Sequence, residues 1–209
     1  MVRIAITEAI ISLNEAHNQF NLSRSSAPQF FTEWFEELPE LTEEEKESLN
    51  HLKNRYFYYA ADGAITEGTI NIIMVSPLLE LLGLCDSPFK IRAEKSVKVE
   101  IEDEDTVLQG FIDALVVQNQ FWVVVIEAKR YGFNATLAIP QALAYMMGPH
   151  PERPVFGMVT NGEDFYFIKL TQQGARQYDL SDKFTLSKRR NNELYEVLQV
   201  MKRIAGLLV

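Results

Sequence analysis

The sequence predicts an α/β sandwich with a central mixed sheet flanked by helices, and three observations carry this. The run FWVVVI (121–126) is apolar on both of its faces, which marks a central strand covered above and below. The pair Asn161-Gly162 separates the apolar runs VFGMV and DFYFIKL, a two-residue hairpin signal. The order along the chain is helices, three strands, a helix, further strands and a closing helix, which suits a layered α/β domain.

The elements follow in order. Residues 1–60 read as a helical N-terminal extension, and residues 61–209 as the sheet-bearing domain. IAITEAIISLNEAHNQF carries apolar residues at helical spacing. NLSRSSAPQ, with Pro28, is a polar break. FFTEWFEELPEL predicts a short amphipathic helix ending near Pro39. Thr42 followed by Glu45 predicts a capping box for the helix TEEEKESLNHLKNRYFYYA. The aromatic run Tyr56–Tyr59 at its end suits packing against a sheet or a partner better than base stacking. AADG breaks the chain before a helix that starts near Glu67. FKIRAEKSVKVEIE predicts one long alternating strand, EDEDT a solvated turn, and VLQGFIDALVV a second strand. FWVVVIEAK is the third and central strand. A helix follows near Leu137–Met147, then the Asn161-Gly162 hairpin. ARQYDL predicts an edge strand, and NNELYEVLQVMKRIAGLL an amphipathic closing helix. The sequence has no internal repeat and no low-complexity segment.

Bulk properties exclude several classes. The 209 residues, 47% of them hydrophobic, suffice for an ordinary globular core. No apolar run reaches the roughly 20 residues a membrane span needs. The acids within the N-terminal apolar segment argue against a signal peptide. The single cysteine, Cys85, excludes an internal disulfide and any multi-cysteine metal site. These features predict a cytoplasmic protein. The net charge of −9 argues against a general nucleic-acid binder. That charge is unevenly spread. Residues 1–60 hold five Lys/Arg against ten Asp/Glu, and four acids of the remainder form the run Glu102–Asp105.

The chemistry concentrates in FIDALVVQNQFWVVVIEAKR (111–130). Apolar strands rarely carry two acids and a lysine, because an unpaired buried charge is costly. Strand residues two apart share a face, so Glu127 and Lys129 project together while Ala128 points away. A hairpin turning about Gln120 puts Asp113 opposite Glu127, with side chains roughly 5 Å apart. Two carboxylates that close repel each other unless a cation or a proton lies between them. An all-oxygen set suits Mg²⁺ or Mn²⁺ rather than zinc. His17, His51 and His150 show no ligand spacing.

This constellation resembles the PD-(D/E)xK nuclease superfamily, with Asp113 as the motif aspartate and Glu127-Ala128-Lys129 as the ExK. Ile112 stands where the motif has proline. The likeness extends to EGTINIIMVSPLLELLGL (67–84), similar to the acidic helix that precedes the nuclease sheet. QALAY (141–145) is similar to the QxxxY of RecB-type nucleases. VTNGEDFYFIKL (159–170) is similar to a late hairpin of the N-terminal nuclease domain of type I restriction enzyme R subunits. The resemblance implies a restriction-endonuclease-like fold and a Mg-dependent deoxyribonuclease that leaves a 5′ phosphate. It implies Asp113, Glu127, the Ala128 carbonyl and Glu67 around the metal, with Lys129 and Gln141 completing the catalytic set and Tyr145 supporting Gln141. DNA is the implied partner. No GxxxxGK[ST] motif is present, so such a domain would act alone, as a homo-oligomer or with separate restriction or defence subunits.

Two other readings compete. One is a catalytically silent nuclease-fold module that binds or regulates, which the acidic charge favours. The other is an interaction protein whose first 60 residues dock a partner through Trp34 and Tyr56–Tyr59. The run Lys188-Arg189-Arg190 reads as a solvated cap on the last helix, or as a phosphate contact away from the cleavage site.

Overall fold

A computed structural model describes residues 2–92, 96–100, 106–111, 114–117, 121–125, 135–147 and 153–207. Strand β1 (Val2–Ala5) leads into the short helix α1 (Ile6–Ala9), helix α2 (Leu13–Phe20) and strand β2 (Ser23–Arg24). Helix α3 spans Glu43–Ala60. Helix α4 (Glu67–Ile70) continues through a π-helical turn (Asn71–Val75) into α5 (Ser76–Leu81). Strands β3 (Ile91–Arg92), β4 (Ser96–Glu100), β5 (Thr106–Phe111), β6 (Ala114–Val117) and β7 (Phe121–Val125) follow. A 3-10 turn (Ala135–Ala138) opens α6 (Ile139–Met146). Strands β8 (Val155–Thr160), β9 (Asp164–Thr171), β10 (Gln177–Leu180) and β11 (Phe184–Thr185) precede α7 (Leu194–Ala205).

The main sheet runs β2-β10-β9-β8-β7-β6-β3, with β11 also paired to β9. It is mixed, because β7/β8 and β2/β10 are parallel and the other pairs antiparallel. The smaller sheet runs β1-β5-β4. The α/β sandwich read from the sequence is thus the observed architecture, and β7 is central as its two-sided apolar character requires. The predicted hairpin is present too, with Thr160 facing Phe165 across the Asn161-Gly162 turn.

Side-chain alternation on β8 and β9 divides the core into two layers. Phe156, Met158, Phe165 and Phe167 join a cluster with Leu49, Leu52 and Tyr56 of α3, Leu78 and Leu79 of α5, and Val197 and Met201 of α7. Val155, Val159, Ile168 and Leu170 face the opposite way, into Ile6 of α1, Ala16 and Phe20 of α2, and Ala142, Leu143 and Tyr145 of α6. Both layers draw residues from 1–60, and β1 and β2 pair with β5 and β10. The expected boundary at residue 60 therefore crosses two shared cores rather than separating two bodies.

Local chemistry explains the helices that follow expectation. Thr42 Oγ1 accepts from the Glu45 backbone N–H at 3.2 Å, and Glu45 Oε2 accepts from the Thr42 N–H at 2.8 Å. This reciprocal cap satisfies two donors that a helix start leaves open, and losing such a cap costs about 1 kcal/mol. Ser12 and Glu15 build the same box on α2.

Five expectations need correction. Val2–Ala5 is a strand, because β1 finds a parallel partner in β5 that the local pattern cannot reveal. FFTEWFEELPEL forms turns rather than a helix, with the Thr32 carbonyl accepting from the N–H groups of Phe35 at 3.0 Å and Glu36 at 2.8 Å. Its side chains are claimed by distant groups. Phe31 is buried in the aromatic layer, Trp34 packs edge-on against Phe184, and Glu33 pairs with Lys169. The long strand FKIRAEKSVKVEIE is β3 and β4, and VLQGFIDALVV is β5 and β6, each divided between the two sheets. ARQYDL is not an edge, because β2 pairs outside it. Finally, Ala114 faces Val124 and Val117 faces Phe121, so the β6/β7 ladder is centred one residue before Gln120.

Candidate functional site

The elements that carry the described candidates, Glu67 and Gln141, meet at one end of the main sheet. In the parallel pair β7/β8, Trp122 lies against Gly157 and Val125 against Thr160. Helix α6 is the crossover between these strands, so it runs back along the sheet. Gly157 shows its direction. A Cβ there would meet Met146 Sδ at 2.8 Å, so the last residue of α6 lies over the first half of β8. The opening turn of α6, with Gln141, therefore points towards the end where β7 and β8 finish. Gln141 is half-buried, and Tyr145, one turn later, is buried in the alanine-rich layer.

The turn after β8 closes this end. Asn161 Oδ1 accepts from the N–H groups of Glu163 at 3.0 Å and Asp164 at 2.8 Å. Gly162 has φ +87°, a left-handed conformation that glycine adopts without a steric penalty. A Cβ at Gly162 would lie 2.9 Å from Tyr56 Cε2 and 3.2 Å from Ile70 Cγ1. The turn thus touches both α3 and the last residue of α4. Glu67 begins α4 one turn before Ile70 and is half-buried, and Thr66 caps the helix by accepting from Thr69 N–H at 3.3 Å. A carboxylate at this position also interacts favourably with the helix N-terminus.

Strand ends complete the arrangement. Because Ala114 faces Val124, the chain enters β6 and leaves β7 at the same end of the sheet. That end is also where α6 begins and where α4 abuts the β8/β9 turn. Helix α4, which begins with Glu67, packs in the aromatic layer, and α6, which carries Gln141, packs in the opposite one. Asp113, Glu127, Ala128 and Lys129 lie outside the described residues. Among the described residues, no three His, Cys, Asp or Glu side chains gather into a metal-binding set.

The electrostatics of this end come from burial. Burial pushes the Tyr56 hydroxyl up to about 12, and the charges of Glu163 and Asp164 add to the shift. Glu163 titrates above the ordinary carboxyl value, first through burial and then through Asp164, with Lys183 opposing. Glu163 is an acid at this end that sequence reading passed over. Its signal was the acidic pair that follows Asn161-Gly162.

His17 and Cys85 have plain structural settings. His17 Nε2 lies 3.0 Å from the Tyr178 hydroxyl, a contact between α2 and β10. Cys85 is exposed, and its thiol is raised by burial of its near surroundings and by Glu80 and Asp86, the opposite of an activated nucleophile. Of the aromatic run, Tyr56 is core, while Phe57, Tyr58 and Tyr59 are exposed. No helix among the described residues is long and apolar enough to cross a membrane.

Residues 5–176 match the family described as type I restriction enzyme R protein N terminus, and the chain belongs to that family. No curated protein matches the chain.

Proposed function

We propose that this member of the type I restriction enzyme R protein N-terminal family is a Mg-dependent DNA endonuclease. Asp113 and Glu127 would hold Mg²⁺ or Mn²⁺ together with the Ala128 carbonyl, and Glu67 would add a further carboxylate. The donor set is all oxygen, which fits a hard divalent cation. Such an ion, when bound, polarises a phosphate and acidifies a coordinated water. Lys129 orients the attacking water or neutralises charge growing on the phosphate oxygens. Gln141 steadies Lys129 or the scissile phosphate, and Tyr145 braces Gln141. Hydrolysis adds the water oxygen to phosphorus and breaks the bond to the 3′ oxygen, which takes up a proton, leaving a 5′ phosphate. Partners under this reading are DNA and either a second copy or separate restriction or defence subunits.

The observation that carries this reading is the shared sheet end. Segments that precede β6 and follow β7 leave the sheet together there, beside the start of α6 and the N-terminal turn of α4. The measurement is plasmid cleavage with Mg²⁺ or Mn²⁺, paired with the melting temperature across a metal titration. Wild type should cut and should gain stability that saturates with metal. Asp113→Ala should lose both. Lys129→Ala should keep the stabilisation and lose cleavage, because both acids remain. Saturable stabilisation of the wild type without cleavage of any DNA form would overturn the endonuclease reading in favour of a silent binding module.

A further inference from the structure

A second feature joins α3, within the matched family region, to a loop that lies beyond residue 176. A cleft of about 390 Å³ opens between α3 and the loop that leads into α7, lined by Asn50, Lys53, Arg189, Arg190, Asn192 and Glu196 among others. Its walls are fixed by hydrogen bonds. Lys53 Nζ donates to the carbonyls of Lys188 at 2.7 Å and Asn191 at 2.8 Å. Asn50 Oδ1 accepts from Asn192 Nδ2 and from the Tyr195 hydroxyl, each at 3.0 Å. Glu193 accepts from the Thr185 N–H at 2.7 Å and pairs with Lys188. The loop is therefore held in place on both sides.

Within this frame two cations have nothing to do. Arg189 and Arg190 are exposed and make no hydrogen bond or ion pair among the described residues. They belong to the one run of three basic residues in a chain of net charge −9. Three cations and one acid, Glu196, line the cleft, so its local charge is opposite to that of the molecule. One oxygen of Glu196 is buried without a hydrogen-bond partner.

The cleft also has a defined relation to the sheet end. Lys53 precedes Tyr56 by three residues, about 4.5 Å along α3, and Tyr56 packs on the Gly162 turn. The loop is tied to the same turn, because Leu186 N–H donates to the Glu163 carbonyl at 2.9 Å. The cleft and the sheet end are thus joined through α3 and the Gly162 turn.

We propose that the Lys53–Arg189–Arg190 cleft binds the phosphate backbone of double-stranded DNA, positioning the duplex without reading its sequence. The inference rests on the DNA reading above and extends it to a contact outside the cleavage site. Guanidinium groups suit phosphate because their planar donors match its oxygens. Backbone contacts of this kind fix register and are salt-dependent.

The test is binding of a short fluorescent duplex in EDTA across a salt titration, using the full chain. Wild type should bind, with affinity falling as salt rises. The double variant Arg189→Ala, Arg190→Ala should bind more weakly and lower the log–log salt slope by about 0.9 per lost contact, so by about two. Arg189→Lys, Arg190→Lys should retain most of the slope and guards against misfolding of the alanine variant. Glu196→Gln should tighten binding by removing a like charge. An unchanged slope in a folded alanine variant that still binds would overturn this inference and leave the DNA reading standing. A wild type that binds no duplex in EDTA would also overturn this inference, while the DNA reading stands or falls on plasmid cleavage with Mg²⁺ or Mn²⁺.

Discussion

The two faces of the main sheet are built from different materials. One is aromatic, with Phe31, Tyr56, Phe156, Phe165, Phe167 and Phe184 filling the space under α3, α5 and α7. The other is richer in small residues, with Ala16, Ala135, Ala138, Ala142 and Ala144 beside larger ones such as Phe20 and Tyr178, and its sheet offers Gly157. Rings hold helices at a distance and stabilise by buried volume. Alanines and a glycine let α6 settle close to β8, which fixes where its first turn, and hence Gln141, sits. The contrast predicts that emptying the aromatic face costs more stability than overfilling the opposite one.

The sharpest way to break this contrast is to empty the aromatic face. Phe167 is fully buried. Phe167→Ala should cost about 3–5 kcal/mol, read as a lower urea midpoint, because a ring-sized cavity remains in a packed layer. A loss below about 1 kcal/mol would mean the aromatic layer is loosely packed.

A smaller effect probes the other face by overfilling it. Gly157→Ala should cost about 1–3 kcal/mol, since the new methyl meets Met146 Sδ. Met146→Ala vacates that space, so Gly157→Ala should cost less in its presence. A double-mutant cycle that proves additive would show that close approach does not govern this face.

The smallest effect concerns the edge of the aromatic face, where Lys202 Nζ lies 2.6 Å from Glu45 Oε1 and joins α7 to α3. Burial alone would raise the Glu45 carboxyl, but Lys202 and the Thr42 cap overcome it and hold it below the ordinary value of 4.5. A lowered acid stabilises the fold above its ordinary value, and that contribution disappears as pH falls through the folded value. Glu45→Gln keeps the cap geometry and removes the charge. It should cost about 0.5–1 kcal/mol near pH 7 and nothing in strong acid, measured by urea unfolding across pH. A cost that persists unchanged in acid would place the loss in the cap rather than the ion pair.

These contrasts also explain what the sequence reveals. Elements set by local chemistry are legible, among them the Thr42/Glu45 cap, the Asn161-Gly162 turn, the central strand β7 and the helix α7. Elements set by distant partners are not. Trp34 and Phe31 have helical spacing but answer to Phe184 and the sheet. β1 looks helical until β5 is beside it. The division of two apolar runs between two sheets leaves no mark that alternation can detect. For the candidate site, motifs single out Glu67, Gln141 and Tyr145, while the sheet end at which α4 and α6 meet is visible only from the Gly157 and Gly162 contacts. Lys53 and Arg189 are 136 positions apart, so their meeting in one cleft has no local signature.

The pairing of β2 with β10 has a consequence for how the chain acquires its fold. Ser23 pairs with Gln177, so about 150 residues must be made before this ladder can close. At about 5–20 residues per second, the early segment waits on the order of 10–30 s for its partner. Val2 likewise waits for Thr106. Loop closure of this length slows folding and leaves strand edges uncovered during synthesis. The helices α2 and α3, with their own caps, are the elements able to form while the ribosome is still delivering the sheet.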